Sequence, residues 1–245
     1  MPRYKITIEY DGTGFAGWQR QENSGSIQAS IEEAIFKFSG ENAAVFASGR
    51  TDAGVHALGQ VAHFDLAKEA MDKEIRDGIN FHIKPAAISI LRGEKTAPDF
   101  HARFDAKKRY YRYRIINRIS PPVLDRFRAW HIKENLNVEA MHDAAQILVG
   151  NHDFTSFRAS ECQAKSPVKT VDEIKVTKTA EEVIIDISAL SFLHHMVRNI
   201  TGTLRLVGGG RWTPEDVKKA LMAKDRTTTG PTAPAHGLYF MRVEY

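Results

Sequence analysis

One eight-residue stretch, Gly49-Arg50-Thr51-Asp52-Ala53-Gly54-Val55-His56, has the composition to present a reactive carboxylate. Two glycines and small neighbours suit a tight loop, and Arg50 stands near enough in sequence to hold Asp52 ionised. An ionised aspartate on such a loop can serve as a nucleophile. The same composition also suits an Asx turn with a surface ion pair, and loop chemistry alone favours that plainer reading.

A second stretch, Lys107-Lys108-Arg109-Tyr110-Tyr111-Arg112-Tyr113-Arg114, holds five basic and three aromatic residues and no acid. On a strand, Tyr111 and Tyr113 share one face while Tyr110, Arg112 and Arg114 share the other. Cations engage phosphates and tyrosine rings stack on bases, so the strand fits a nucleic-acid surface. An edge strand kept soluble by charge fits it equally well. A third stretch, Phe192-Leu193-His194-His195-Met196-Val197-Arg198-Asn199, opens a predicted helix. Leu193, Met196, Ile200, Leu204 and Val207 form its apolar stripe, and Arg198 and Arg205 stand on another face with Thr201 and Gly202 between them. Adjacent helical side chains diverge by about 100°, whereas metal ligands want i, i+3 or i, i+4 spacing, so His194 and His195 read as core residues and no metal site is expected.

The elements that must hold these groups follow from hydrophobic periodicity. Tyr4, Ile6, Ile8 and Tyr10 alternate as a strand, and Ile27, Ile31 and Ile35 mark a helix over residues 26–39 with Gly40 at its end. Strands are expected over 43–48, 60–66 and 86–91, and a second helix carries Met71, Ile75 and Ile79. After Pro98 the pattern restarts, with strands over 109–116 and 127–132 and a helix through Val138, Met141, Ala145 and Leu148 that Gly150 closes. A hairpin-like pair over 171–176 and 183–189 precedes the helix over 192–207. Thr213, Pro214 and Asp216 then open a short helix with capping-box spacing, and a strand over 238–245 ends the chain. The order suggests two mixed α/β subdomains, residues 1–100 and 101–245.

The chain's 245 residues are 42% hydrophobic and 26% charged, enough for a real core. A lone cysteine, Cys162, excludes an internal disulfide framework and any four-cysteine cluster from this chain, in keeping with a reducing cytoplasm. No signal peptide or membrane span is expected. The formal charge of +4 leans mildly toward a polyanionic partner. Gly208-Gly209-Gly210 lacks the dinucleotide order, no triphosphate-binding loop or G-x-S-x-G occurs, and nothing demands a cofactor.

Taken in order, these pieces resemble the tRNA pseudouridine synthase A family along nearly the whole chain. Ile8-Glu9-Tyr10-Asp11-Gly12, Gly17-Trp18-Gln19-Arg20-Gln21 and the Asp52 loop carry the resemblance in the first half. Phe100-His101-Ala102-Arg103-Phe104, the tyrosine strand, Asp153-Phe154-Thr155-Ser156-Phe157-Arg158, His194-His195-Met196-Val197-Arg198-Asn199 and Gly237-Leu238-Tyr239 continue it. The resemblance implies an α+β (mixed α/β) pseudouridine synthase fold, with two similar antiparallel-sheet-plus-helix subdomains flanking a basic cleft. It implies a homodimer acting on the anticodon stem-loop of tRNA, at uridines 38–40, with neither metal nor cofactor. It puts Asp52 at the nucleophile, Arg50 and Arg198 at the arginines flanking it, and Tyr111 at the tyrosine that packs on the target base; the family's Tyr-x-Tyr spacing selects Tyr111 over Tyr110. Arg20, Arg103, Lys107, Arg109, Arg112 and Arg158 are then the candidate RNA contacts. A non-catalytic RNA-binding protein would leave Asp52 without a task, and an aspartate-nucleophile hydrolase would place a second aspartate where Gly54 stands.

Overall fold

The computed structural model describes residues 1–21 and 24–245. The chain divides into two compact units, residues 1–107 with 239–245, and residues 108–238. Each combines helices with a sheet of mixed strand direction, an α+β build. Among the described residues no helix is long and apolar enough to cross a membrane.

The first unit contains β1 (Arg3–Tyr10), α1 (Ile27–Ser39), β2 (Phe46–Ala47), β3 (His56–Asp65), α2 (Asp72–His82), β4 (Ile88–Thr96) and the last strand, β10 (Leu238–Glu244). β1 pairs antiparallel with β3 and β4, β2 pairs antiparallel with β3, and β10 runs parallel to β3 at Tyr239 and His56. The expected alternation of β1 buries Tyr4, Ile6, Ile8 and Tyr10, which join Ile27, Ile31 and Ile35 of α1 and Ile75 and Ile79 of α2 in the core. Each buried isoleucine contributes roughly 1.5–3 kcal/mol. Helix α1 starts and stops as its sequence predicts: the Ser26 Oγ accepts the Ala29 N–H, and Gly40 adopts a φ of 77°.

Far along β3, His63 fastens the segment Phe100–Phe104 to the sheet. Its Nδ1 accepts the Ala102 N–H at 3.2 Å, and the Phe46 ring stacks on it at 5.3 Å. Burial, with His101 and Arg3 nearby, pushes its pKa down to about 4, so it stays neutral and keeps that acceptor at neutral pH. The Tyr245 hydroxyl donates to the Ala102 carbonyl at 2.9 Å, tying the chain's end to the same segment.

The second unit contains β5 (Lys108–Asn117), β6 (Trp130–Ile132), α3 (Val138–Gln146), β7 (Gly150–Asp153), β8 (Val168–Thr179), β9 (Glu182–Ala189), α4 (Met196–Gly208) and α5 (Pro214–Ala223). Its strands run in the order β5-β9-β8-β7, each neighbour antiparallel, with β6 parallel to the end of β5. Helix α5 opens with the expected box, in which Asp216 accepts the Thr213 N–H at 2.9 Å.

Several elements differ from their sequence expectation for local reasons. The strand expected over 43–48 shrinks to Phe46–Ala47 because Glu32 and Gln28 of α1 take the Val45 N–H and C=O that a ladder would use. β6 starts only at Trp130, since the Arg128 and Ala129 N–H groups turn back to the Asp125 carbonyl. α3 ends at Gln146, and Gly150, with a φ of 106°, opens β7 instead of closing the helix. α4 begins at Met196, not near 192, because His195 takes a left-handed φ of 61° that no helix accommodates.

Candidate active site

Asp52 occupies the first position of a β-turn. The Val55 N–H returns to the Asp52 carbonyl at 3.1 Å, and Gly54 takes the positive φ of 78° that a type II turn requires at its third position. Asp52 is half-buried while Thr51 and Val55 on either side are buried, so the carboxylate rises from an anchored base. Arg50 is exposed.

Four groups brace this turn, and sequence reasoning named none of them as part of the site. The Tyr10 hydroxyl bonds the Thr51 Oγ1 at 2.8 Å in a buried pair, and burial pushes the Tyr10 pKa up to about 12, keeping it a neutral partner. The buried Gln60 side chain donates to the Gly49 carbonyl at 2.9 Å and accepts from Ser48 at 2.6 Å. The Gly12 N–H donates to the His56 Nδ1 at 3.0 Å, the Asp11 Oδ1 lies 3.1 Å from the same nitrogen, and the Tyr239 ring stacks on that imidazole at 4.8 Å. The Trp18 N–H donates to the Thr51 carbonyl at 3.0 Å. A Cβ on Gly17 would lie 2.6 Å from that same carbonyl, and its φ is 101°, so only glycine fits against the turn. The carbonyls of Gly17 and Trp18 in turn accept the Ile27 and Gln28 N–H groups of the first turn of α1. The segments 8–12 and 17–21 therefore serve as the turn's scaffold, and a glycine beside an aromatic residue was the signal available in the sequence.

In the second unit β5 sorts its side chains by face as predicted. Tyr111 is 9% exposed and its ring meets Phe192 edge-on at 5.1 Å, whereas Tyr110 on the opposite face is half-buried beneath Lys108. Tyr113 is fully buried, donates its hydroxyl to the Pro234 carbonyl at 2.7 Å, and packs so closely on Gly237 that a Cβ there would lie 2.5 Å from the ring. Burial raises its pKa well above the ordinary tyrosine value. The cations of this strand are largely neutralised from across the sheet. Arg112 grips Asp186 with two bonds at 2.7 and 3.0 Å, Arg114 pairs with Glu182 and Asp125, and Lys108 lies 3.3 Å from Asp172. Arg109 is buried and donates to the Leu190 carbonyl. No acid stands within the segment itself, which is why its sequence looks uniformly cationic.

Helix α4 carries Arg198 in its first turn. A cation there adds to the positive end of the helix dipole, a local field suited to an anion. The Arg198 Nε donates to the Ala233 carbonyl at 2.8 Å, and the Ala233 N–H returns to the Arg198 carbonyl at 3.1 Å. His194 and His195 correct the sequence expectation: both precede the helix, His194 is exposed and His195 half-buried, and their rings lie 4.0 Å apart. They are not core residues, and the helical-spacing argument does not apply to them. The 3₁₀ turn Thr155–Phe157 docks here through the Asn199 side chain, which donates to the Phe157 carbonyl at 2.8 Å.

The remaining cations are scattered. Arg20 pairs with Glu32 at 2.9 Å while its side chain stays more than half exposed, Arg103 is exposed over the Phe104 ring, and Lys107 is exposed. Arg158 is half-buried and donates to the Cys162 carbonyl at 3.2 Å.

Comparison with known proteins gives a consistent picture. Residues 6–105 and 144–245 match a family model described as tRNA pseudouridine synthase. The chain is 57% identical to tRNA pseudouridine synthase A of Rhodospirillum centenum and 55% identical to that of Parvibaculum lavamentivorans, in both cases over all of each chain. It is 52% identical to the protein of that name from Maricaulis maris, over the whole of this chain and 98% of the other.

Proposed function

The chain belongs to the tRNA pseudouridine synthase family, and from that membership we infer that it isomerises uridine to pseudouridine in tRNA, with Asp52 as the nucleophile. The observation that carries the choice of Asp52 is the turn beneath it: a carboxylate braced by Tyr10, Gln60, Trp18 and Gly17 stands on a base too rigid to be a casual surface turn.

The carboxylate attacks either a carbon of the uracil ring or the sugar carbon. The N1-glycosidic bond breaks, the uracil turns, and C5 bonds to the sugar carbon. The proton on C5 is lost and N1 gains one, so atoms and electrons balance without oxidant or energy input. Throughout, the detached base must be held and kept from water. Tyr111, braced edge-on by Phe192, is the wall we assign to that task. Arg198 and Arg50 supply positive charge toward the RNA backbone.

A target in the anticodon stem-loop is stacked and must be flipped out, at a cost of a few kcal/mol that RNA contacts have to offset. Arg20, Arg103 and Lys107 suit that role by their exposure, with Arg158 a lesser contributor, while Arg109 and Arg112 serve the sheet. A homodimer and a cytoplasmic site of action complete the reading by family resemblance. The experiment is tritium release from tRNA transcribed with uridine labelled at C5. Release in step with pseudouridine formation is expected; tight binding without release would leave a non-catalytic RNA-binding protein as the better account.

A further inference from the structure

Arg226 and its partners have no part in the chemistry above, yet they make a dense polar cluster in the second unit. The Arg226 guanidinium donates to the Thr229 Oγ1 at 2.6 Å, the Gly230 carbonyl at 3.0 Å, the Asn199 Oδ1 at 3.1 Å and the Thr232 Oγ1 at 2.9 Å. All four acceptors are neutral. A half-buried guanidinium without a carboxylate partner is costly, and burial lowers the Arg226 pKa accordingly. Ordinary structural arginines avoid that arrangement by pairing, as Arg112 does with Asp186.

What the cluster fixes is the path of residues 229–233 across α4. Thr232 also donates to the Asn199 Oδ1 at 2.7 Å, and the Gly230 N–H donates to the Thr203 Oγ1 at 3.0 Å. The crossing is close: a Cβ on Gly202 would lie 1.7 Å from the Pro231 carbonyl oxygen, and one on Gly230 would lie 2.6 Å from the Gly202 oxygen. One residue beyond Thr232, Ala233 accepts the Arg198 Nε–H and donates its own N–H to the Arg198 carbonyl.

We propose that Arg226 is a positioning residue for the isomerisation: it clamps the 229–233 strap to Asn199 on α4, and the strap's Ala233 carbonyl, through the Arg198 Nε–H, sets the plane of the Arg198 guanidinium. The proposal rests on the reading of Arg198 as part of the reactive group. The Nε–H bond restrains the side chain's rotation while the backbone bond holds the strap in register with α4, and a misplacement of about 1 Å at a reacting group can cost on the order of a hundredfold in rate.

The test is a double-mutant cycle on single-turnover pseudouridine formation, with tRNA affinity and thermal melting measured on each protein. Arg226→Gln keeps hydrogen-bonding capacity but cannot span four acceptors, and Thr232→Val removes one hydroxyl of the clamp with almost no change in volume. Both are expected to slow the chemical step about tenfold or more while tRNA affinity stays within about twofold, and both effects should vanish in an Arg198→Met background. Loss of melting temperature with an unchanged rate, or effects that add fully to Arg198→Met, would reduce Arg226 to a structural residue. Should Arg226→Gln fail to fold, the same cycle with Thr232→Val decides. If Arg198→Met alone turns over at the wild-type rate, the reading of Arg198 fails first, and the cycle shows that separately.

Discussion

At the scale of single residues, neighbours in sequence acquire different tasks from which face of a strand they occupy. Tyr111 and Tyr110 are chemically identical, but the first lies on the buried face against Phe192 and the second beneath Lys108 on the other. Tyr111→Ala is expected to cut single-turnover pseudouridine formation at least a hundredfold while tRNA affinity falls only a few-fold, because contact with a flipped base comes after phosphate contacts have set binding. Tyr110→Ala should leave both within about threefold; the reverse pattern, read from the same single-turnover and filter-binding measurements, would move the base-packing role to the opposite face. The two faces were legible, since period-two alternation assigns them without knowledge of the fold, whereas the choice of Tyr111 over Tyr110 came from the family's Tyr-x-Tyr spacing. Arg226 was not, because its partners are hydroxyls and carbonyls whose convergence depends on the strap's path and leaves no pattern of charge in the sequence.

At the scale of elements, the Asp52 turn depends on segments far from it in sequence. Gly17 meets the Thr51 carbonyl with no room for a Cβ, whereas Gly14, also at positive φ, faces open space. Gly17→Ala is expected to destabilise the protein by about 2–3 kcal/mol and to slow turnover in the fraction still folded; Gly14→Ala should cost only about 1 kcal/mol, from backbone strain, at an unchanged rate. Melting curves with single-turnover rates measured below the transition check both, and equal behaviour of the two variants would remove Gly17 from the scaffold of the turn. Amphipathic helices and alternating strands were readable because burial imposes their period, as in α1 and β1. Element ends were less so. His195 leaves helical geometry although nothing in Phe192-Leu193-His194-His195 signals a break, and Glu32 cuts short the strand at Val45 by a side-chain bond that no local propensity encodes.

At the scale of the whole molecule, charge bookkeeping from sequence overstates the cationic surface. The basic strand read equally as an RNA contact or as an edge strand kept soluble by charge, and Asp172, Asp186, Glu182 and Asp125, distant in sequence, neutralise much of it. On the proposed function, RNA binding falls to the more dispersed exposed cations of a protein of formal charge +4, and the chemistry to the Asp52 carboxylate. That separation of binding from reaction allows the two to be measured apart in the intact protein. Asp52→Asn keeps the size of the side chain and its capacity for local backbone bonds while removing the anion. The decisive measurement is single-turnover pseudouridine formation by this variant with enzyme in excess, alongside its tRNA affinity. Rates below detection with affinity within about twofold of wild type are predicted; a rate within about tenfold of wild type, a loss of only ~1.4 kcal/mol in transition-state stabilisation, would contradict the assignment of Asp52 as nucleophile.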